Sequence, residues 1–249
     1  MLPSVSASRA APGRPLAARA CCGTPFVLVG ALLLATVTSG CLSYAVGTTA
    51  QPLARGEMVT TDILEVVPFV PPDLNCTDRT DRPETCDEPH PVRPNLSTEI
   101  RYGLDGRSDV GVRLIGYSGF VASYKHLVSP DSAALDVAFL GGAGFINLFQ
   151  HAEVEATLIV SKPALPDARA IPYGGVRLMQ AIRLSKAVPR DLPTVGVFAG
   201  ARLGTSTFRV SPELGVFYDR SALNPDRSPL LIVPSFTVVG SGILARLLR

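Results

Sequence analysis

Three histidines and five cysteines are the residues of this 249-residue chain with the readiest site chemistry, and their spacing suits little of it. His90, His126 and His151 are spread over unrelated segments without the spacing of a metal site. Ser123 and His126 are the one pair on which a hydrolytic centre could be argued. No Gly-x-Ser-x-Gly elbow, phosphate loop or Cys-x-x-Cys pair accompanies them, and the reading is of no catalytic residue, no metal and no cofactor. Cys76 and Cys86 flank a stretch crowded with Asp, Arg, Thr, Glu and Pro. In an oxidising compartment they are expected to pair, and so short a loop contributes about 3 kcal/mol against unfolding. A metal site with His90 is the rival reading, but two thiols and one histidine fall short of the usual four ligands.

Charge carries more information. On the less apolar faces of alternating segments stand Glu99, Asp109, Asp136, Glu153, Glu155, Glu213 and Asp219, against Arg101, Arg113, Lys125, Arg177, Arg183, Arg202 and Arg209. Acids and bases are equal in number, so mutual pairing is their first expected role. The formal net charge of +2 gives no basic surface for gripping nucleic acid.

The first 40 residues read as an export signal. Arg9, Arg14 and Arg19 occur before residue 27 with no acidic residue, and an apolar run follows from Val27 to Val37. That run is too short for the roughly 20 residues of a spanning helix. Thr38-Ser39-Gly40-Cys41 resembles a bacterial lipobox, with Thr38 where leucine usually stands. Cleavage before Cys41 would leave its thiol to carry diacylglycerol, and Cys21 and Cys22 would depart with the signal. The other reading is an ordinary secretory cut near Ser39 or Ala45. Leu42, where an aspartate would retain a lipoprotein at the inner membrane, makes the outer membrane the expected destination. Residues 41–55 then read as a linker.

The elements that must position the charges are strands. Tryptophan is missing from the composition, and breaks rich in Gly, Pro and Asp recur between segments rich in Val, Leu, Ile, Phe and Tyr. From Leu96 to Leu104, apolar Leu96, Ile100 and Tyr102 alternate with Glu99 and Arg101, and Asp105-Gly106 then turns the chain. The pattern repeats in Val110/Val112/Leu114, Val154/Leu158/Val160, Val176/Leu178/Ile182, Val195/Val197 and Leu214/Val216/Tyr218. Ten segments can be counted, and eight is the lower bound. The expectation is all-β, an antiparallel up-and-down transmembrane β-barrel of about 8–10 strands over residues 56–243, with a long loop at 71–95 and a tail at 244–249.

Alternation alone leaves open which face is inside. A membrane barrel points its apolar face at lipid and its charges into the lumen, and a soluble one does the reverse. Tyr102, Tyr124, Tyr173 and Tyr218 near strand ends suit an interfacial girdle. The runs Glu99-Ile100-Arg101-Tyr102-Gly103-Leu104, Asp109-Val110-Gly111-Val112-Arg113-Leu114, Tyr124-Lys125 and Pro212-Glu213-Leu214-Gly215-Val216-Phe217-Tyr218 resemble the strands of a group of small bacterial outer-membrane β-barrel proteins and lipoproteins. The resemblance covers about Leu96 to Gly240 and implies a barrel with no particular activity. Two functions follow as expectations. The first is a non-enzymatic outer-membrane barrel in contact with lipid, its lumen plugged by paired charges, its 71–95 loop free to meet a protein or ligand. The second is a lipid-tethered periplasmic barrel carrying an apolar ligand, as lipocalin-like proteins do.

Overall fold

The computed structural model describes residues 42–67, 93–163, 168–184, 192–205, 208–219 and 229–239. Residues 1–40, read from sequence as an export signal, Cys41, Cys76, Cys86, His90 and residues 244–249 lie outside the described residues, and with them the lipid and disulfide assignments. Ten strands form: β1 Met58–Val67, β2 Arg93–Gly103, β3 Ser108–Ile115, β4 Gly119–Leu127, β5 Asp136–Ile146, β6 His151–Ser161, β7 Ala170–Arg183, β8 Thr194–Gly204, β9 Arg209–Tyr218 and β10 Leu230–Val239. Each pairs antiparallel with its neighbour in sequence, and β10 returns to β1 with Thr61 opposite Val239 and Glu65 opposite Ser235, so the sheet is a closed up-and-down barrel. Closure leaves no strand edge to attract another chain.

β2 takes in Arg93, Pro94 and Asn95, the last residues of the stretch read from sequence as loop. The barrel has two rims. The near rim holds the start of β1, the end of β10 and the β2–β3 turn, where Gly106 adopts φ +81° and Asp105 accepts the Arg107 N–H at 2.9 Å. The far rim holds the end of β1, the start of β2 and two tight turns, after β3 and after β5. In the latter, Asn147, Leu148 and Phe149 all occupy the left-handed region, at φ 51°, 53° and 65°. Such a run costs energy for residues with a Cβ. Leu148 N–H donating to Ser118 O at 2.7 Å, and Phe149 lying against Phe120 and Phe145, help hold it in place.

Burial settles which face is inside. Glu99, Arg101, Asp109, Arg113, Lys125, Glu153, Glu155, Arg177 and Glu213 are all at most 5% exposed and line the lumen. Their strand neighbours Ile100, Val112, Leu114, Leu158, Val176, Leu178, Val195, Val197 and Leu214 stand on the outside, each roughly half exposed. The polarity of an ordinary soluble barrel is therefore inverted. Tyr102, Tyr124 and Tyr218 face out. Tyr173 does not: it is buried, and its hydroxyl donates to Glu213 at 2.9 Å, which removes it from the girdle. Its parity matches Arg177 two residue pairs later, and parity outranks its place near a strand end.

Glycine makes room for the largest inward side chains. The Phe217 ring lies over Gly196 and Gly215, and a Cβ built on Gly196 would stand 2.1 Å from it. Gly196→Val is expected to lower the unfolding midpoint of the refolded barrel by the equivalent of about 1–3 kcal/mol, the usual cost of overpacking. Val197→Leu, one position away on the outer face, should leave the midpoint unchanged in the same urea titration.

Candidate functional site

Residues 42–53, read from sequence as linker, run inside the barrel. Leu42 to Ala50 are all buried. Leu42 and Tyr44 pack with Ile115, Val121, Ile146 and Leu231 towards the far rim, while Val46 and Ala50 pack with Ala138, Leu140, Ile159 and Phe198 towards the near rim. The strap thus enters at the far rim and leaves at the near one. There Gly56 N–H donates to Gly103 O at 2.9 Å and β1 begins.

An extended chain in a lumen cannot pair its own N–H and C=O groups, and each one left unmade when buried costs a few kcal/mol. The wall makes these bonds with charged side chains. Glu65 accepts the Tyr44 N–H at 3.2 Å, the Ala45 N–H at 2.9 Å and the Ser43 hydroxyl at 2.6 Å. Glu213 accepts Val46 N–H at 2.8 Å and Gly47 N–H at 2.9 Å. Ser161 and Asp109 accept from Ala50 and Leu53. From the other side, Arg177 donates to Tyr44 O and Ala45 O, Arg113 donates to Ala45 O at 3.0 Å, and Lys125 donates to Thr49 O and Gln51 O, both at 3.2 Å. Carboxylates hold the strap's donors and cations its acceptors, bonds stronger than those between neutral groups. Strap side chains add three contacts with the wall: Tyr44 hydroxyl to Asp219 at 2.7 Å, Arg113 to Ser43 Oγ at 3.2 Å, and Lys125 to Thr48 Oγ1 at 3.1 Å. At Gly47, φ is +62° and a Cβ would meet Thr237 Oγ1 at 2.6 Å, so the strap's path there requires glycine.

The same charges also pair with one another. Arg101 bridges Glu99 at 2.7 Å and Asp109 through Nε at 2.8 Å; Lys125 reaches Asp109 at 3.2 Å; Arg113 lies 3.7 Å from Glu99; Arg177 pairs with Glu155. The sequence-derived set therefore divides. Glu99, Arg101, Asp109, Arg113, Lys125, Glu155 and Arg177 form ion pairs. Glu213 serves the strap and Tyr173 instead of a cation. Asp136 stands at the near rim, half-buried, and Arg183 at the far end of β7; neither makes an ion pair among the described residues. Arg202 and Arg209, on β8 and β9, make none either. Glu153, 1% exposed, has no hydrogen-bond donor for either carboxylate oxygen among the described residues. Sequence reasoning missed Glu65, whose parity with Ile63 and Thr61 was the available signal, and it missed the strap, because a short uncharged segment outside any alternating run carries no mark of burial.

Ser123 donates nothing to His126. Its hydroxyl accepts from Arg101 at 3.0 Å, while His126 lies on the other face of β4, stacked on Tyr124 with Nδ1 2.9 Å from Ser108 Oγ. The two are not a hydrolytic pair. No group of three or more His, Cys, Asp or Glu able to hold a metal occurs among the described residues. No protein-family model matches the chain, and a search of the curated proteins finds no match.

Replacing Glu65 and Glu213 together by glutamine removes two charged anchors at about 1.5–3 kcal/mol each. Maleimide labelling of an introduced Ala50→Cys, followed by mass spectrometry of that peptide, should then proceed at least about tenfold faster than in the parent barrel.

Proposed function

We propose that this chain is an outer-membrane β-barrel of structural or interaction type, exported by residues 1–40, tethered through lipid on Cys41, and closed by its own N-terminal strap. One observation carries the reading: the outward positions of the strands are chiefly apolar, while the wall's buried ion pairs lie in the lumen. Contiguous apolar surface of that extent is rare on soluble monomers and suits lipid. Strands of 8 to 14 residues fit the roughly 9–11 that a tilted transmembrane strand needs. Aromatic groups supply an interfacial contact at both rims. Phe120, Phe145 and Phe149 cluster at the far rim with centroids 5.8 to 6.2 Å apart, and Tyr124 stacks on His126 at 6.2 Å towards the near rim.

Leu42 lies towards the far rim, so lipid on the preceding cysteine would leave the lumen at the end that carries the 68–92 connection. A segment of that length, braced by a Cys76–Cys86 disulfide, is where contact with a partner would occur. An apolar-ligand carrier of the lipocalin kind is the poorer fit, because the lumen is lined by charge and filled by the strap. With the lumen spent on the chain itself, the role proposed is non-enzymatic.

Full-length protein in washed Gram-negative membranes should resist alkaline carbonate and migrate faster unboiled than boiled, and both properties should persist in Cys41→Ala. Release of that variant into the soluble fraction would overturn the membrane reading. The outward face offers a second check. Val197→Arg should cost about 2–4 kcal/mol in urea titrations of barrel refolded into vesicles, against about nothing for an arginine facing water.

A further inference from the structure

The near-rim end of the lumen holds cations that the rest of the network does not use. A narrow cleft of about 30 Å³, open to solvent, lies beside the departing strap and is lined by Arg101, Lys125, Arg202, Arg209 and Glu99, with Thr48 and Gln51 of the strap. Two acids serve these four cations. Glu99 is bound to Arg101 and Arg113, and Asp109 to Arg101 and Lys125. Neither acid forms an ion pair with the arginines of β8 and β9, and among the described residues no other does. Arg202 makes no hydrogen bond among the described residues and its Nε is buried without an acceptor, while Arg209 has only Nε to Thr205 O at 3.1 Å. The two belong to facing strands close in register, with Gly204 opposite Arg209, and the strongest charge acting on Arg202 is the like charge of Arg209. Glu57 and Asp109 act on Arg202 more weakly.

Two adjacent half-buried guanidiniums repel, and holding them together costs stability unless an anion lies between them. The guanidinium fork matches the oxygens of a tetrahedral or planar oxyanion, and Lys125 adds a point charge.

We propose that this cleft is a binding site for a phosphate group, held chiefly by Arg202 and Arg209. The group could belong to a soluble phosphate compound or to a phospholipid headgroup at the rim, and the proposal is independent of whether the barrel spans a membrane. Because Lys125 also binds Thr48, Thr49 and Gln51, an anion here would sit against the strap at its exit.

The test uses the full-length chain, purified in a zwitterionic detergent and, separately, placed in phosphatidylcholine vesicles with a minor share of phosphatidic acid. Equilibrium dialysis against radiolabelled inorganic phosphate should show saturable binding, weakened about tenfold or more by Arg202→Gln and by Arg209→Gln. Arg107→Gln, at an exposed arginine paired with Asp131, should bind as the parent does, and unboiled mobility checks that each variant folds. In phosphate-free buffer Arg202→Gln should unfold at the parent's temperature or higher, because it relieves a repulsion. Saturable binding of free phosphate assigns the site to soluble phosphate compounds. Arginine-dependent enrichment of phosphatidic acid around the barrel without such binding assigns it to a lipid headgroup. Neither signal, or binding that survives the Arg202→Gln/Arg209→Gln double variant, overturns the proposal.

Discussion

A main chain laid through a closed lumen has nowhere to place its N–H and C=O groups, and the wall of this barrel is organised around that need. Glu65 and Glu213 collect consecutive amides of the strap, and Arg113, Arg177 and Lys125 collect its carbonyls. A buried charge is costly alone, and so is a buried amide. Set against each other, each removes the other's penalty. The ion pairs of Arg101 with Glu99 and of Arg177 with Glu155 then neutralise two carboxylates that the strap does not use. Interior charge here is thus the solvent of a buried peptide as well as a means of cross-bracing strands.

Strand number follows the same requirement. About eight strands enclose an interior that side chains alone can fill. Ten strands with inward Glu, Arg, Phe and Tyr, relieved by Gly111, Gly196 and Gly215, leave space for one extended chain more. The outer face imposes an opposite demand and is met by the alternate residues. Because side chains alternate strictly along a strand, a single sequence satisfies both, and a one-residue slip would reverse them everywhere.

Much of this was legible from residue order. Alternation through Leu96–Leu104 and Glu153–Ser161 marks strands because a half-buried strand has period two, and turn residues such as Asp105-Gly106 mark where they reverse. The direction of the faces was not legible: Glu99 and Ile100 alternate identically whichever points inward, and only the closed geometry decides. Tyr173 was misplaced when position near a strand end was weighed above parity. The strap was hidden for a different reason. Its burial depends on partners more than a hundred residues away, Arg177 and Glu213 among them, and no local periodicity records such contacts. The same distance hid the closeness of Arg202 and Arg209, which is a property of the assembled rim.

The strap lies inside a ring that its own chain closes, and this constrains the order of events in assembly. Once β1 has zipped to β10 along Thr61 to Glu65, a segment entering at one rim and leaving at the other would have to be pulled end-first through a lumen that offers no free path. The economical route lays the strap down while the sheet is still an open, curling ribbon, with Glu65 and Glu213 gripping it from strands near the two edges that will meet. The strap then acts as a mandrel: the last and most distant strand pairing, with the heaviest loop-closure cost, forms around a segment already in place.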